Sequence, residues 1–171
     1  MFLAMCDVHP ACVSEKELLA ACQVRHERRS GPGGQHRNKV ATAVVLTHRP
    51  TRIRAEANER RSQAENHAEA LRRLRVRLAI EVRGPARGGP SERWQARVAA
   101  GRLSINPAHA DFPALLAEAL DAVVAAQYDM SAAADSLGIS MSQMVRFLQH
   151  ERAAWAGINK GRRQRGLRTL H

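Results

Sequence analysis

The stretch of this sequence best equipped for chemistry is Arg29–Lys39, RSGPGGQHRNK. Gly31, Pro32, Gly33 and Gly34 stand together, a composition suited to neither a helix interior nor a ladder strand. Glycine opens backbone conformations closed to other residues and lets a second molecule approach the main chain. The polar end, Gln35, His36, Arg37, Asn38 and Lys39, offers donors for a phosphate or carbonyl oxygen. After Ser30 the stretch holds no Ser, Cys, Asp or Glu, so it supplies neither a nucleophile nor a carboxylate base. Catalysis here would rest on backbone amides, on positioning and on a borrowed proton acceptor. No Gly-Lys-Ser/Thr follows, which excludes a Walker loop, and the dinucleotide order G-x-G-x-x-G is missing. Gly33-Gly34-Gln35 alone also fits a plain surface loop. At about 7% glycine usage, a chain of this size contains it by chance on the order of a few times in a hundred.

The elements around the loop are legible. Ser14 to Ala20 predicts a short helix opened by a Ser cap, with Glu17 completing a capping box. Cys22–Arg28 alternates apolar and charged residues, the pattern of a half-buried strand. Ala43–His48 predicts a strong strand, Arg49–Arg52 a turn and Ile53–Ala57 a weaker strand, together a hairpin. Ser62 and Glu65 form a second capping box, opening a helix whose apolar face is expected at Ala64, Ala68, Leu71, Leu74 and Leu78. Gly84–Pro90, GPARGGP, reads as a breaker and a domain boundary. Beyond it the chain is helical and alanine-rich: Asp111 caps one segment, Ser131–Leu137 forms another, and after Gly138-Ile139 a helix opens at Ser140 and runs to about His150.

The 171 residues carry 27 Lys and Arg against 16 Asp and Glu, a net charge of +11. The excess is concentrated: Gln23–Arg83 carries +9 and Arg146–His171 carries +6, around a slightly acidic middle. Two such blocks call for a polyanionic partner, nucleic acid or an anionic membrane surface. No apolar run approaches the 18 residues or more of a membrane span, and Met1–Cys12 lacks the charged start and sustained apolar stretch of a signal peptide. Cys6, Cys12 and Cys22 are odd in number and without close-pair spacing, so neither a disulfide framework nor a cysteine zinc site is expected. No two histidines fall at metal-binding helix spacing. The reading is a cytoplasmic protein with no metal, no cofactor and no membrane partner, expected to be a monomer.

The order of elements carries more than the tripeptide. Strand, SGPGGQHRNK, the hairpin AVVLTHRPTRIRAEA and then ERRSQAENHAEALRRL follow one another. Across Cys22–Leu78 this resembles the GGQ domain of the class I peptide chain release factors, closely so the small codon-independent members that rescue stalled ribosomes. The resemblance is carried by Ser30-Gly31, Gly33-Gly34-Gln35-His36, Asn38, Thr47-His48-Pro50-Thr51, Arg61-Ser62-Gln63 and Asn66. It implies that the loop enters the peptidyl transferase centre and promotes attack of water on the peptidyl-tRNA ester. Gly33 and Gly34 would permit the entry, and the Gln35 N–H would serve the developing oxyanion and leaving oxygen. Gln35 is then also an expected methylation site. Arg29, His36, Arg37, Asn38, Lys39 and Arg61 are expected to contact RNA, with large-subunit ribosomal RNA and P-site peptidyl-tRNA as partners. Arg37 stands where the family commonly has valine, and Pro32 where many members have alanine. His36 and His48 fall on family positions, where a hydrogen-bonded structural histidine is the commoner case.

The expected fold class is α+β: a small, mostly antiparallel sheet packed by the Ser62 helix, then a small helical module. The expected division is a GGQ domain over 1–83, a linker over 84–110, a helix-turn-helix-like module over 111–158 and a basic tail over 159–171. With 32 residues before Gly33, no codon-reading domain fits upstream, which predicts a codon-independent factor. Lys160, Arg162, Arg163, Arg165 and Arg168 would let the tail, if extended, track messenger RNA in an empty channel; a solvated terminus is the bland reading. The cadence from Ala132 to Gln143, with glycine in the turn, supports an alternative: a nucleic-acid-binding adaptor for which the GGQ fold is a scaffold, with Ser142, Gln143 and Arg146 toward the groove. The segment up to Val145 offers few phosphate contacts, which favours packing or ribosomal docking instead.

Overall fold

The structure is a computed structural model that describes residues 9–27, 42–85 and 88–170. The fold is α+β, and two compact units divide it: Pro10–Leu78 form one, and His9 with the chain from Ala79 onward form the other. Among the described residues no helix is long and apolar enough to cross a membrane.

In the first unit, α1 (Glu15–Ala20) starts at Ser14, whose side chain and that of Glu17 make both arms of the capping box. Strands β1 (Cys22–Glu27), β2 (Ala43–His48) and β3 (Arg54–Ala57) form an antiparallel sheet in chain order. Register runs from Cys22 opposite His48 to Glu27 opposite Ala43, and from Val44 opposite Ala57 to Thr47 opposite Arg54. Central β2 is buried from Ala43 through Leu46, whereas β1 buries only Cys22 and leaves Val24 40% exposed. The half-buried strand expected at 22–28 is thus an exposed edge strand.

Helix α2 (Gln63–Glu81) begins where expected, with Ser62 Oγ accepting from the Glu65 N–H at 3.4 Å. Its buried face keeps the expected Leu71, Leu74 and Leu78 and departs from expectation only over the first turns. Ala64 and Ala68 are exposed, while Asn66, Ala70, Leu74 and Leu78 are fully buried at four-residue spacing. The arginines beside that face are engaged in the fold. Arg73 donates to Glu56 O (2.8 Å) and Arg77 to Arg54 O, occupying carbonyls of edge strand β3. Arg75 donates to Ala11 O (3.1 Å) and Val13 O (2.9 Å). A capped edge is closed to further strand pairing.

The second unit centres on α4 (Phe112–Ala125), which follows α3 (Glu92–Gln95) and the short β4–β5 hairpin (Val98–Ala99, Arg102–Leu103). Phe112 through Ala117, Ala119, Leu120 and Val123 are all buried, the signature of a helix enclosed by its neighbours. Asp111 makes no side-chain cap on α4, contrary to expectation; its carboxylate goes instead to Arg97 at 2.7 Å. Residues 84–110, read from the sequence as a linker, hold a central part of this core. Trp94 is fully buried, meets Phe147 edge-on at 5.9 Å, and donates from Nε1 to Leu137 O at 2.9 Å. Leu137 belongs to the turn between α5 (Met130–Ser136) and α6 (Met141–Gln149), where Gly138 takes φ +68°.

Helix α7 (Arg152–Gln164) closes the unit, and Asn159–Gln164, assigned from the sequence to the tail, are its last turns. The residues after it fold back. Asn159 exchanges two bonds with the Leu170 backbone (2.8 and 3.1 Å), and the Leu167 N–H donates to Arg162 O. Glycine is needed at 161, since a Cβ there would lie 2.2 Å from the Tyr128 ring.

Candidate functional site

Residues 28–41, and with them Arg29, Gly33, Gly34, Gln35, His36, Arg37, Asn38 and Lys39, lie outside the described residues. What the structure gives is their frame. The chain leaves β1 at Glu27 and returns at Thr42, and Glu27 pairs with Ala43, so departure and return share one end of the sheet.

The start of α2 grips both. Gln63 Nε2 donates to His26 Nδ1 at 2.7 Å, on the departing strand. Asn66 Nδ2 donates to Thr42 O at 2.8 Å, on the returning one. The same amide group also donates to Arg60 O (2.9 Å) and accepts from the Arg60 N–H (2.9 Å). Asn66 is 0% exposed with both ends of its amide satisfied, an arrangement that fixes a backbone because leaving those groups unpaired in the core is costly. Since one side chain holds both Thr42 and Arg60, exposed Arg61 stands beside the base of segment 28–41.

His48 is elsewhere. It pairs with Cys22 at the opposite end of the sheet, five residues along β2 from Ala43 and so about 17 Å away. Its Nδ1 meets Thr51 Oγ1 at 2.8 Å, and burial lowers its pKa from the ordinary value, favouring the neutral ring. The Thr47–Thr51 run is therefore a turn lock, reinforced by Arg49 donating to Cys22 O at 2.9 Å.

The structure separates the cations expected in the tail. Arg162 donates from Nε to Arg168 O (2.8 Å) and from Nη1 to Tyr128 O, so its guanidinium is spent inside the unit. Arg165 stacks over the Tyr128 ring at 4.3 Å. Lys160, Arg163 and Arg168 are exposed. Arg152, absent from the sequence reading, is exposed as well, at the first position of α7. Asn66 and Gln63 were visible in the motif but without a role. The signal for Asn66 was its place four residues before Ala70 in the run Asn66, Ala70, Leu74, Leu78.

Residues 19–104 match the RF-1 domain. Three curated relatives are each named peptide chain release factor 1. That of Acidiphilium cryptum is 41% identical over 86 residues, 50% of this chain and 24% of the relative. That of Erythrobacter litoralis is 38% identical over 86 residues, again 50% and 24%. That of Symbiobacterium thermophilum is 36% identical over 91 residues, 53% and 26%. The chain thus spans about a quarter of the length of these relatives. Through its RF-1 domain, which covers half of it, the chain belongs to the class I peptide chain release factor family. The match runs past Leu78, where the resemblance read from the sequence stopped, to take in Trp94 and the β4–β5 hairpin.

Proposed function

We propose that this protein is a ribosome-dependent hydrolase of the peptidyl-tRNA ester that acts without reading a stop codon. The observation that carries the reading is the two-sided grip of α2 on the base of segment 28–41, through Gln63 and Asn66, in a domain matched to release factors. A main-chain donor works as a catalyst only if it is preorganised, and a clamp on both strands fixes where the segment that carries it leaves and rejoins the sheet.

In this mechanism water attacks the ester carbonyl carbon, the carbonyl electrons move onto oxygen, and the bond to the transfer RNA 3′-oxygen then breaks. The Gln35 N–H donates to the developing oxyanion and leaving oxygen, Gly33 and Gly34 let the main chain come close, and the Gln35 side chain restricts the space to water. One such donor is typically worth ~2.7–4 kcal/mol of barrier. Holding water and ester in line contributes roughly 7–11 kcal/mol. The water's proton is relayed through RNA hydroxyl groups to the leaving 3′-oxygen, consistent with a stretch that has no carboxylate base of its own. Large-subunit ribosomal RNA and P-site peptidyl-tRNA are the partners, Arg29, His36, Arg37, Asn38, Lys39 and Arg61 contact RNA, and the Gln35 amide is a methylation site. Entry of the tail into a messenger RNA channel would first require Leu170 to leave Asn159.

The test is peptide release from ribosomes stalled on truncated message, compared with ribosomes paused at a stop codon and with isolated large subunits. Release on truncated message is expected from the parent and not from Gly34→Ala or Gln35→Ala. Parent-like rates in both variants would overturn the catalytic assignment, and release only at stop codons would overturn codon independence. The adaptor reading draws on the α5–α6 pair with its Gly138 turn, but α6 brings a single cation, Arg146, to its exposed face. Ribosome co-sedimentation separates the two.

A further inference from the structure

We propose that the solvent-facing side of α7 is a docking surface for the phosphate backbone of duplex RNA, centred on Arg152, Lys160 and Arg163. At 100° per residue these three share a face with Ala153, Ala156 and Gly157, and all six are exposed. Arg152 and Lys160 lie about 12 Å apart along the axis, and Arg163 one turn further. No hydrogen bond or ion pair holds the three cationic heads among the described residues, in contrast to Arg162 and Arg165. From Ser136 to His171 the sequence contains one acid, Glu151, and its carboxylate caps α7 by accepting from the Ala153 N–H.

The chemistry of the face selects the occupant. Between the cations stand only small side chains, so there is no bulky apolar wedge of the kind that seats a helix in a lipid surface. Single-stranded nucleic acid is held largely by aromatic platforms. Here the ring of Tyr128 is covered by Gly161 on one hand and Arg165 on the other, and Trp155 of α7 is half-buried and lies about 60° round the helix from Arg152, off the face. A rigid row of cations on a smooth helix suits a regular phosphate backbone, whose contacts position without reading sequence. Because the face is already folded, docking orders little chain. The choice of RNA over DNA rests on the ribosomal reading above; the face itself does not.

The experiment compares two charge-matched double variants of the full chain, Lys160→Gln/Arg163→Gln and Arg165→Gln/Arg168→Gln. Each is titrated with an RNA duplex and a DNA duplex of about 16 base pairs across a range of salt. The first should lose affinity for RNA on the order of 50-fold near 0.1 M salt, with the salt slope shallower by about 2. The second should stay within about threefold, since its side chains lie off the face. Thermal melts establish that both remain folded. Equal losses would mean bulk charge alone, loss confined to the second would mean an extended tail, and no loss in either would remove the site; each overturns the proposal. DNA binding as tight as RNA binding would overturn the RNA assignment. Release activity is read separately: Gln35→Ala should abolish release and leave duplex binding intact, so either idea can fail alone.

Discussion

Helices α2 and α7 both carry rows of basic residues, and they use them in opposite ways. On α2, Arg73, Arg75 and Arg77 turn to backbone carbonyls of β3 and of residues 11 and 13, while Arg72 and Arg73 pair with Glu69. On α7, Arg162 is used in the same way, but Arg152, Lys160 and Arg163 project into solvent with no acid on their helix. The segment with the larger charge, +9 over Gln23–Arg83, is therefore the one whose helical arginines hold the fold. Net charge locates cations; only geometry says which of them a partner can reach.

The sharpest way to break this contrast is at the buried polar anchors. Asn66→Ala should destabilise the protein by about 3 kcal/mol, because it leaves Thr42 O and both backbone groups of Arg60 without their partner. It should also slow release while ribosome binding persists; urea unfolding and single-turnover release measure the two. Arg75→Gln should cost about 2 kcal/mol, in the range for hydrogen bonds from a charged group, and leave the salt dependence of RNA binding as it was. An unchanged urea midpoint would show that the α2 arginines are not structural. Gly161→Ala drives a methyl group into Tyr128 and should cost about 1–3 kcal/mol by overpacking, read as a lower melting temperature.

Acid titration tests the contrast more gently. Hydrogen bonds from Arg72, with Arg73 adding to them, hold the Glu69 carboxyl below its ordinary value near 4.5, and Arg73 does the same for Glu59. A lowered carboxylate adds stability that is complete above the unfolded value and drains as pH falls through the folded one. The urea midpoint should thus drop below about pH 4.5, and Glu69→Gln should flatten that drop. The smallest effect belongs to the β2–β3 turn. Arg52 sits at φ 63°, so Arg52→Gly should be neutral or stabilising by less than about 1 kcal/mol.

Much of the frame was readable because its signals are local. The Ser14 box, the β2–β3 hairpin with its turn at 49–52 and the Ser140 cap depend on residues a few places apart. Errors arose where burial is decided at long range. The alternation of 22–28 implies one covered face, but β1 is an edge strand and Val24 stays exposed. Leu71, Leu74 and Leu78 of the expected stripe are buried, but Ala64 and Ala68 face out because at the helix start the amide of Asn66 is held inward by partners 6 and 24 residues away. Glycine and proline near 84–90 suggested a linker running on to 110; Trp94 finds its acceptor 43 residues downstream. The tail looked like a free cationic strand because its anchors, Tyr128 O and Asn159, are neutral groups with no signature in the charge pattern.

Trp94, sealed in the core against Leu137, has one more use. The chain's two tryptophans, Trp94 and Trp155, both fall after Ala79, and Pro10–Leu78 contains none. Indole emission therefore reports melting of the helical unit alone, whereas far-ultraviolet dichroism sees both. Two midpoints from one heated sample would show the halves coming apart in separate steps, with no label attached.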